Sequence, residues 1–147
     1  MVDVLTEITI NRPRDQVSEY AANPDNASEW YVNIKSVEWL TPKPIEVGSK
    51  IAFKAAFLGK ELSYVYQIAE NTPGKKLVMR TADGPFPMET TYTWESLSGH
   101  STRMTIRNKG NPSGFSIFFT PFMSWMMKRA NKKDLNKIKF LLEETAN

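Results

Sequence analysis

The chain has 147 residues, 19 Lys+Arg against 16 Asp+Glu, one His and no Cys, a length that predicts one domain (1–147) burying about 70% of its unfolded surface. Without a thiol there is no disulfide scaffold, Cys nucleophile or Fe–S cluster, and one His leaves zinc short of ligands, so neither cofactor nor metal is expected. Fractions of 41% apolar and 24% charged residues exclude intrinsic disorder, and seven Met and 12% aromatics are somewhat rich for the length.

The opening MVDVLTEITI has no basic residue before Arg12 and lacks the pattern of a signal peptide, so cytoplasmic residence is the expectation. Val4, Thr6, Ile8 and Ile10 alternate with Leu5, Glu7 and Thr9, which predicts a strand with one buried face. Asn11-Arg12-Pro13 then starts a short helix over DQVSEYAA, closed by Asn23-Pro24, and a second short helix follows from residue 24 or 25 to about 32. A β-branched and aromatic stretch over 32–40 reads as a strand ended by Thr41-Pro42-Lys43-Pro44.

Five further strands are predicted at 47–57, 60–70, 75–82, 88–97 and 101–109, separated by Gly- and Pro-containing turns. Their apolar positions alternate, as in Ile51, Phe53, Ala55; Leu62, Tyr64, Tyr66, Ile68; Thr90, Tyr92, Trp94; and Met104, Ile106. Lys50, Lys54, Glu61, Arg80, Glu89, Arg103 and Arg107 fall between them, so one sheet face is wet and the other must be covered. The cover is a helix over about 115–142, whose apolar stripe includes Phe118, Phe122, Met126, Leu135, Ile138 and Leu142. Pro121 is either a first-turn proline behind a Thr120 cap or a kink in a helix begun near Ser113, and the kink is preferred.

The apolar window 114–127 has 14 residues, short of the roughly 20 needed to cross a bilayer. The excess positive charge lies entirely after it, with Lys128, Arg129, Lys132, Lys133, Lys137 and Lys139 against Asp134, Glu143 and Glu144. These bases are read as a solvated helix face, and without an interleaved aromatic platform they give no reason to expect nucleic-acid binding.

Four segments together carry a resemblance: ITINRPRDQVSEYAANPDNASEW, VGSKIAF, the hairpin Gly99-His100-Ser101-Thr102, and RANKKDLNKIKFLLE. In order and spacing the chain resembles the Bet v 1-like or START-like (SRPBCC) superfamily, and within it small bacterial polyketide cyclase/dehydrase-like proteins. The resemblance implies an α+β helix-grip fold: a curved antiparallel sheet of six to seven strands, two short helices after the first strand, and a long C-terminal helix over the concave face. TPKPIEVGS stands where plant members carry a glycine-rich loop, so functions linked to that loop are not implied.

The resemblance also implies an apolar cavity between sheet and helix. Tyr64, Tyr66 and Tyr92 would supply its polar points, and Met79, Trp94, Met104, Phe118, Phe122 and Met126 its walls. Trp30 would either stand at its entrance or simply pack in the core, and Phe86, held between Pro85 and Pro87, would be either a lid over the opening or a hydrophobic plug. His100 sits at a hairpin tip and no buried carboxylate pair is evident, so acid–base machinery is not visible. The expected function is binding of a small hydrophobic or amphipathic ligand (lipid, polyketide-like or aromatic). One alternative is a cofactor-independent cyclase or dehydratase; another is an interaction protein using its apolar helix for transient membrane contact or homodimerisation.

Overall fold

Alternating burial along each strand sets the architecture: in Val2–Ile10 the even-numbered side chains Val2, Val4, Thr6 and Ile10 are buried while Asp3, Leu5, Glu7 and Thr9 are exposed. The computed structural model describes residues 2–57, 59–83, 87–110 and 120–145. In chain order these form β1 (Val2–Ile10), α1 (Arg14–Ala22), a 3-10 turn (Pro24–Asn26), α2 (Ala27–Trp30), β2 (Ile34–Trp39), β3 (Lys50–Phe57) and β4 (Lys60–Thr72). β5 (Lys76–Asp83), β6 (Met88–Ser98), β7 (Ser101–Gly110) and α3 (Thr120–Thr145) complete them.

The strands make one seven-stranded sheet in the order β1-β7-β6-β5-β4-β3-β2, antiparallel throughout, which is the predicted helix-grip arrangement. Register shifts between Val65 and Tyr66 and between Ile68 and Glu70 interrupt the β4–β5 pairing. Such bulges bend a strand and raise its twist, so the sheet curls around its apolar face.

Two boundaries differ from expectation, each for a local reason. The second short helix divides into the 3-10 turn, where the Asn23 side chain accepts from the Asp25 N–H at 3.0 Å, and a single α turn that stops at Trp30 because Tyr31 is extended. β3 begins at Lys50 because residues 46–49 form a turn: the Glu46 N–H donates to Ser49 Oγ at 2.9 Å, and Gly48 takes a φ of 95° that other residues avoid. α3 is described from Thr120, with Pro121 next in the chain. The residues that a kinked helix begun near Ser113 would occupy lie outside the described residues.

Most of the core forms a single cluster, in which Leu135, Ile138 and Leu142 of α3 pack on Ile10, Val17, Trp30, Ile51, Ile68, Trp94, Met104 and Ile106. A second, small cluster joins Met123 to Val2 and Val4, with Met127 packed against it. Hydrogen bonds fasten the C-terminal end of α3 to the start of the chain. Arg12 donates to the carbonyls of Leu142 (3.0 Å) and Glu143 (2.6 Å), the Asn11 N–H donates to Glu143 Oε2 (2.7 Å), and Lys139 Nζ donates to the Thr9 carbonyl (2.9 Å). The Arg12 guanidinium thereby meets carbonyls that the last helical turn leaves unpaired.

Candidate ligand cavity

Strand parity aims a row of rings into the concave face of the sheet. Phe53 on β3, Tyr64 and Tyr66 on β4, and Tyr92 on β6 project to the same side, with Phe53 stacked on Tyr64 at 5.6 Å between ring centroids and Tyr66 edge-on to both. α3 answers with Met127, Ala130, Asn131 and Asp134, which share one face by their spacing of three and four residues. Between rings and helix remains a cavity of about 160 Å³, also lined by Tyr31, Ile34, Ala55, Met79, Thr90 and Asn108. Its half-buried members Leu62, Thr81, Met88 and Met127 sit toward the β3–β4 turn, the β5–β6 loop and the first half of α3.

The cavity wall has two kinds of polar group. The first kind is internally satisfied: Thr90 Oγ1 donates to Asn108 Oδ1 at 2.8 Å and therefore accepts from the Tyr66 hydroxyl, also at 2.8 Å. Burial pushes the Tyr66 phenol up to about 12, with the Thr90 bond acting in the opposite direction. The second kind is unspent. The Tyr64 and Tyr92 hydroxyls have no hydrogen-bond partner among the described residues; burial raises both phenols first, followed by Tyr66 and then Asp134 for Tyr64, and by Asp134 for Tyr92.

Asp134 is the chemically distinctive group. It is 4% exposed, and its Oδ1 accepts from the Val32 N–H at 2.9 Å, while its other oxygen has no partner among the described residues. Burial pushes the carboxyl up to about 6, against the Val32 hydrogen bond and Lys137, which both favour the charged form. A carboxyl poised near neutrality beside two neutral phenols can accept a hydrogen bond, pair with a cation, or carry a proton to and from a bound molecule.

Of the residues singled out from sequence, Tyr64, Tyr66, Met79 and Tyr92 meet at this cavity. Trp30, Trp94 and Met104 face the same way but are packed within the main core and do not line it; Tyr31 takes the wall position beside Trp30, with ring centroids 4.1 Å apart. Phe122 is 45% exposed and Met126 half-buried, and neither lines the cavity. Phe86 and Phe118 lie outside the described residues. Sequence reasoning missed Asp134 and Asn131 by counting them within a charged tail. The signal was there: Asp134 stands four residues from both Ala130 and Ile138, in line with the apolar stripe.

His100 is exposed, its N–H donating to Ser98 Oγ at the hairpin tip. Among the described residues no group of three or more His, Cys, Asp or Glu could hold a metal ion, and no helix is long and apolar enough to cross a membrane.

Solved structures share this fold over nearly the whole chain. The Zhui aromatase/cyclase from a Streptomyces species superposes with a TM-score of 0.84 at 14% identity, covering 99% of this chain and 95% of its own. A Thermus thermophilus protein gives 0.83 at 15% identity with 99% of each chain covered, and a START superfamily protein from Mycobacterium smegmatis gives 0.81 at 10% identity with 97% of each. A comparison with curated proteins found no match. The model of the family described as "Polyketide cyclase / dehydrase and lipid transport" matches residues 1–143, and the chain belongs to that family.

Proposed function

We propose that the chain is a single domain that binds a small hydrophobic or amphipathic ligand, lipid, polyketide-like or aromatic in class, in the cavity between sheet and α3, without a cofactor. The observation that carries this reading is the pairing of an apolar, ring-lined hollow of about 160 Å³ with polar groups that no atom of the described residues satisfies. Trp30, Trp94 and Met104 then support the wall from behind, and Phe122 and Met126 belong to the proposed approach to the cavity.

Native mass spectrometry of the protein purified without detergent tests this, with solvent extraction to identify anything carried along. Wild type is expected to retain a discrete extra mass that an Ala130→Phe variant, its ring filling the hollow, loses while staying folded. Equal retention by both would sink the cavity reading.

Asp134 favours a second reading, a cofactor-independent cyclase or dehydratase in which this carboxyl moves the proton. Turnover of a poly-β-ketone mimic that Asp134→Asn abolishes, with binding kept, would establish it; binding without turnover would reject it. The exposed face of α3, carrying Phe122, Trp125 and Phe140 beside Lys128, Arg129, Lys132 and Lys133, supports contact with an anionic membrane. Flotation with anionic vesicles that Trp125→Glu abolishes is the expected result there.

A further inference from the structure

The cavity is electrically one-sided. Among the described residues that line it, Asp134 is the one ionisable acid and there is no Lys, Arg or His. Lys137, one turn further along α3, is solvent-exposed and does not line the cavity, and from the opposing elements Val32 gives its N–H while β4 and β6 give the neutral phenols Tyr64 and Tyr92. A buried carboxylate with one oxygen unpartnered is unfavourable until something neutralises it. The Asn131 amide Nδ2, in the same wall, is also buried without a partner among the described residues.

The chemistry of the rest of the wall points the same way. The faces of Tyr31, Phe53, Tyr64 and Tyr92 carry negative π-density, which attracts cations and repels anions. A carboxylate or phosphate head group would meet no guanidinium or ammonium among the described lining residues, only the neutral donors Asn131 Nδ2 and the Tyr64 and Tyr92 hydroxyls, next to a carboxylate of its own sign.

We infer that the cavity selects ligands with an apolar body and a protonated amine that pairs with Asp134, and that it rejects molecules headed by a carboxylate or phosphate. The inference rests on the cavity being the ligand site and says which polar end that ligand has. It separates this chain's ligand from free fatty acids, which the apolar lining alone would admit. The Tyr64 and Tyr92 hydroxyls are then acceptors for the remaining ammonium protons.

Three probes with one ring system test it: 2-naphthylmethylamine, 2-naphthylmethanol and 2-naphthoate, titrated calorimetrically at pH 7.5 into wild type and Asp134→Asn. For wild type the amine is expected to bind about tenfold or more tighter than the naphthoate, as a charge-assisted hydrogen bond warrants. In Asp134→Asn that advantage falls to about threefold or less, while the alcohol changes little.

Wild type alone provides a second readout. Lowering the pH from 7.5 to 5 protonates Asp134 and weakens the amine by about tenfold, leaving the alcohol unaffected, because no other group facing the carboxyl titrates in that range. Naphthoate binding as tightly as the amine, an amine advantage that survives in Asp134→Asn, or amine affinity independent of pH overturns the inference. Alcohol binding with no preference for the amine overturns the charge assignment alone. No binding of any probe to wild type overturns the cavity reading as well. If Asp134→Asn does not fold, the wild-type pH series decides.

Discussion

The two halves of α3 touch the same sheet and do different work. From Leu135 onward the helix is closed down: Leu135, Ile138 and Leu142 are at most 5% exposed, Asn11 and Arg12 donate to its last turn, and Lys139 donates back to the Thr9 carbonyl. Before Leu135 it rests on the sheet through Met123 and Met127, leaves Phe122 and Trp125 at 45% and 55% exposure, and spans the cavity with Ala130, Asn131 and Asp134. Stability is concentrated at one end and chemistry at the other. A helix anchored this way can adjust its first half around a ligand while its second half keeps the fold together.

Substitutions at the two ends break or sharpen that contrast. The largest effect is expected at the closed end: Ile138→Ala, fully buried among packed neighbours, loses about 2–5 kcal/mol of unfolding free energy by urea titration. A loss below about 1 kcal/mol would mean that the closed end is not the anchor.

At the open end Asp134→Asn should move stability the other way. The carboxyl titrates near 3.8 when unfolded and near 6 when folded, so between those values the folded state holds the extra proton. Stability conferred by the protonated form is complete below about pH 4, falls as the pH rises towards 6, and stays low above it. Replacing a neutral-pH carboxylate by an amide of the same shape, which can still accept from Val32, is expected to gain up to about 3 kcal/mol at pH 7.5 and almost nothing at pH 4. Equal gains at both pH values would show that the carboxyl is not strained by burial.

Arg12→Ala removes the grip on the Leu142 and Glu143 carbonyls and is expected to cost about 1–2 kcal/mol, with amide exchange accelerating first at the C-terminal end of α3. Met127→Ala, half-buried at the cavity's edge, is expected to cost about 1 kcal/mol or less in stability while changing affinity for an apolar probe. A Met127 variant as damaging as Ile138→Ala would erase the distinction between the halves.

The same contrast explains what could be read in the sequence. Strand order, curved sheet and covering helix follow from alternation, turn residues and spacing, and the inward faces of Phe53, Tyr64, Tyr66, Tyr92 and Ile106 agree with their parity. Parity tells inside from outside but not where along the strand a residue meets the helix. Trp94 and Met104 share the inward face with Tyr92, yet they stand opposite each other toward the α1 end of the sheet, where the packing is solid.

A one-residue difference at the end of a four-residue helix likewise separates the buried Trp30 from the wall residue Tyr31. Asp134 was hidden by composition. It lies between Lys133 and Lys137 in a run that reads as solvated surface, and only its phase relative to Ala130 and Ile138 reveals that it points inward.

The edge position of β1 has a consequence for how the chain is made. β2 to β7 each pair with a sequence neighbour, so their hairpins close as soon as both arms exist, whereas β1 pairs with β7 alone, from Val2 opposite Gly110 to Ile10 opposite Thr102. At about 5–20 residues per second, a ribosome leaves the first strand without its partner for about 5–20 seconds. During that interval an apolar nine-residue segment waits outside the growing sheet, at the mercy of other unpaired strands nearby. Of the seven strands the first to be synthesised is therefore the last to find a partner, and its need for shielding ends only when Ser101–Gly110 arrives.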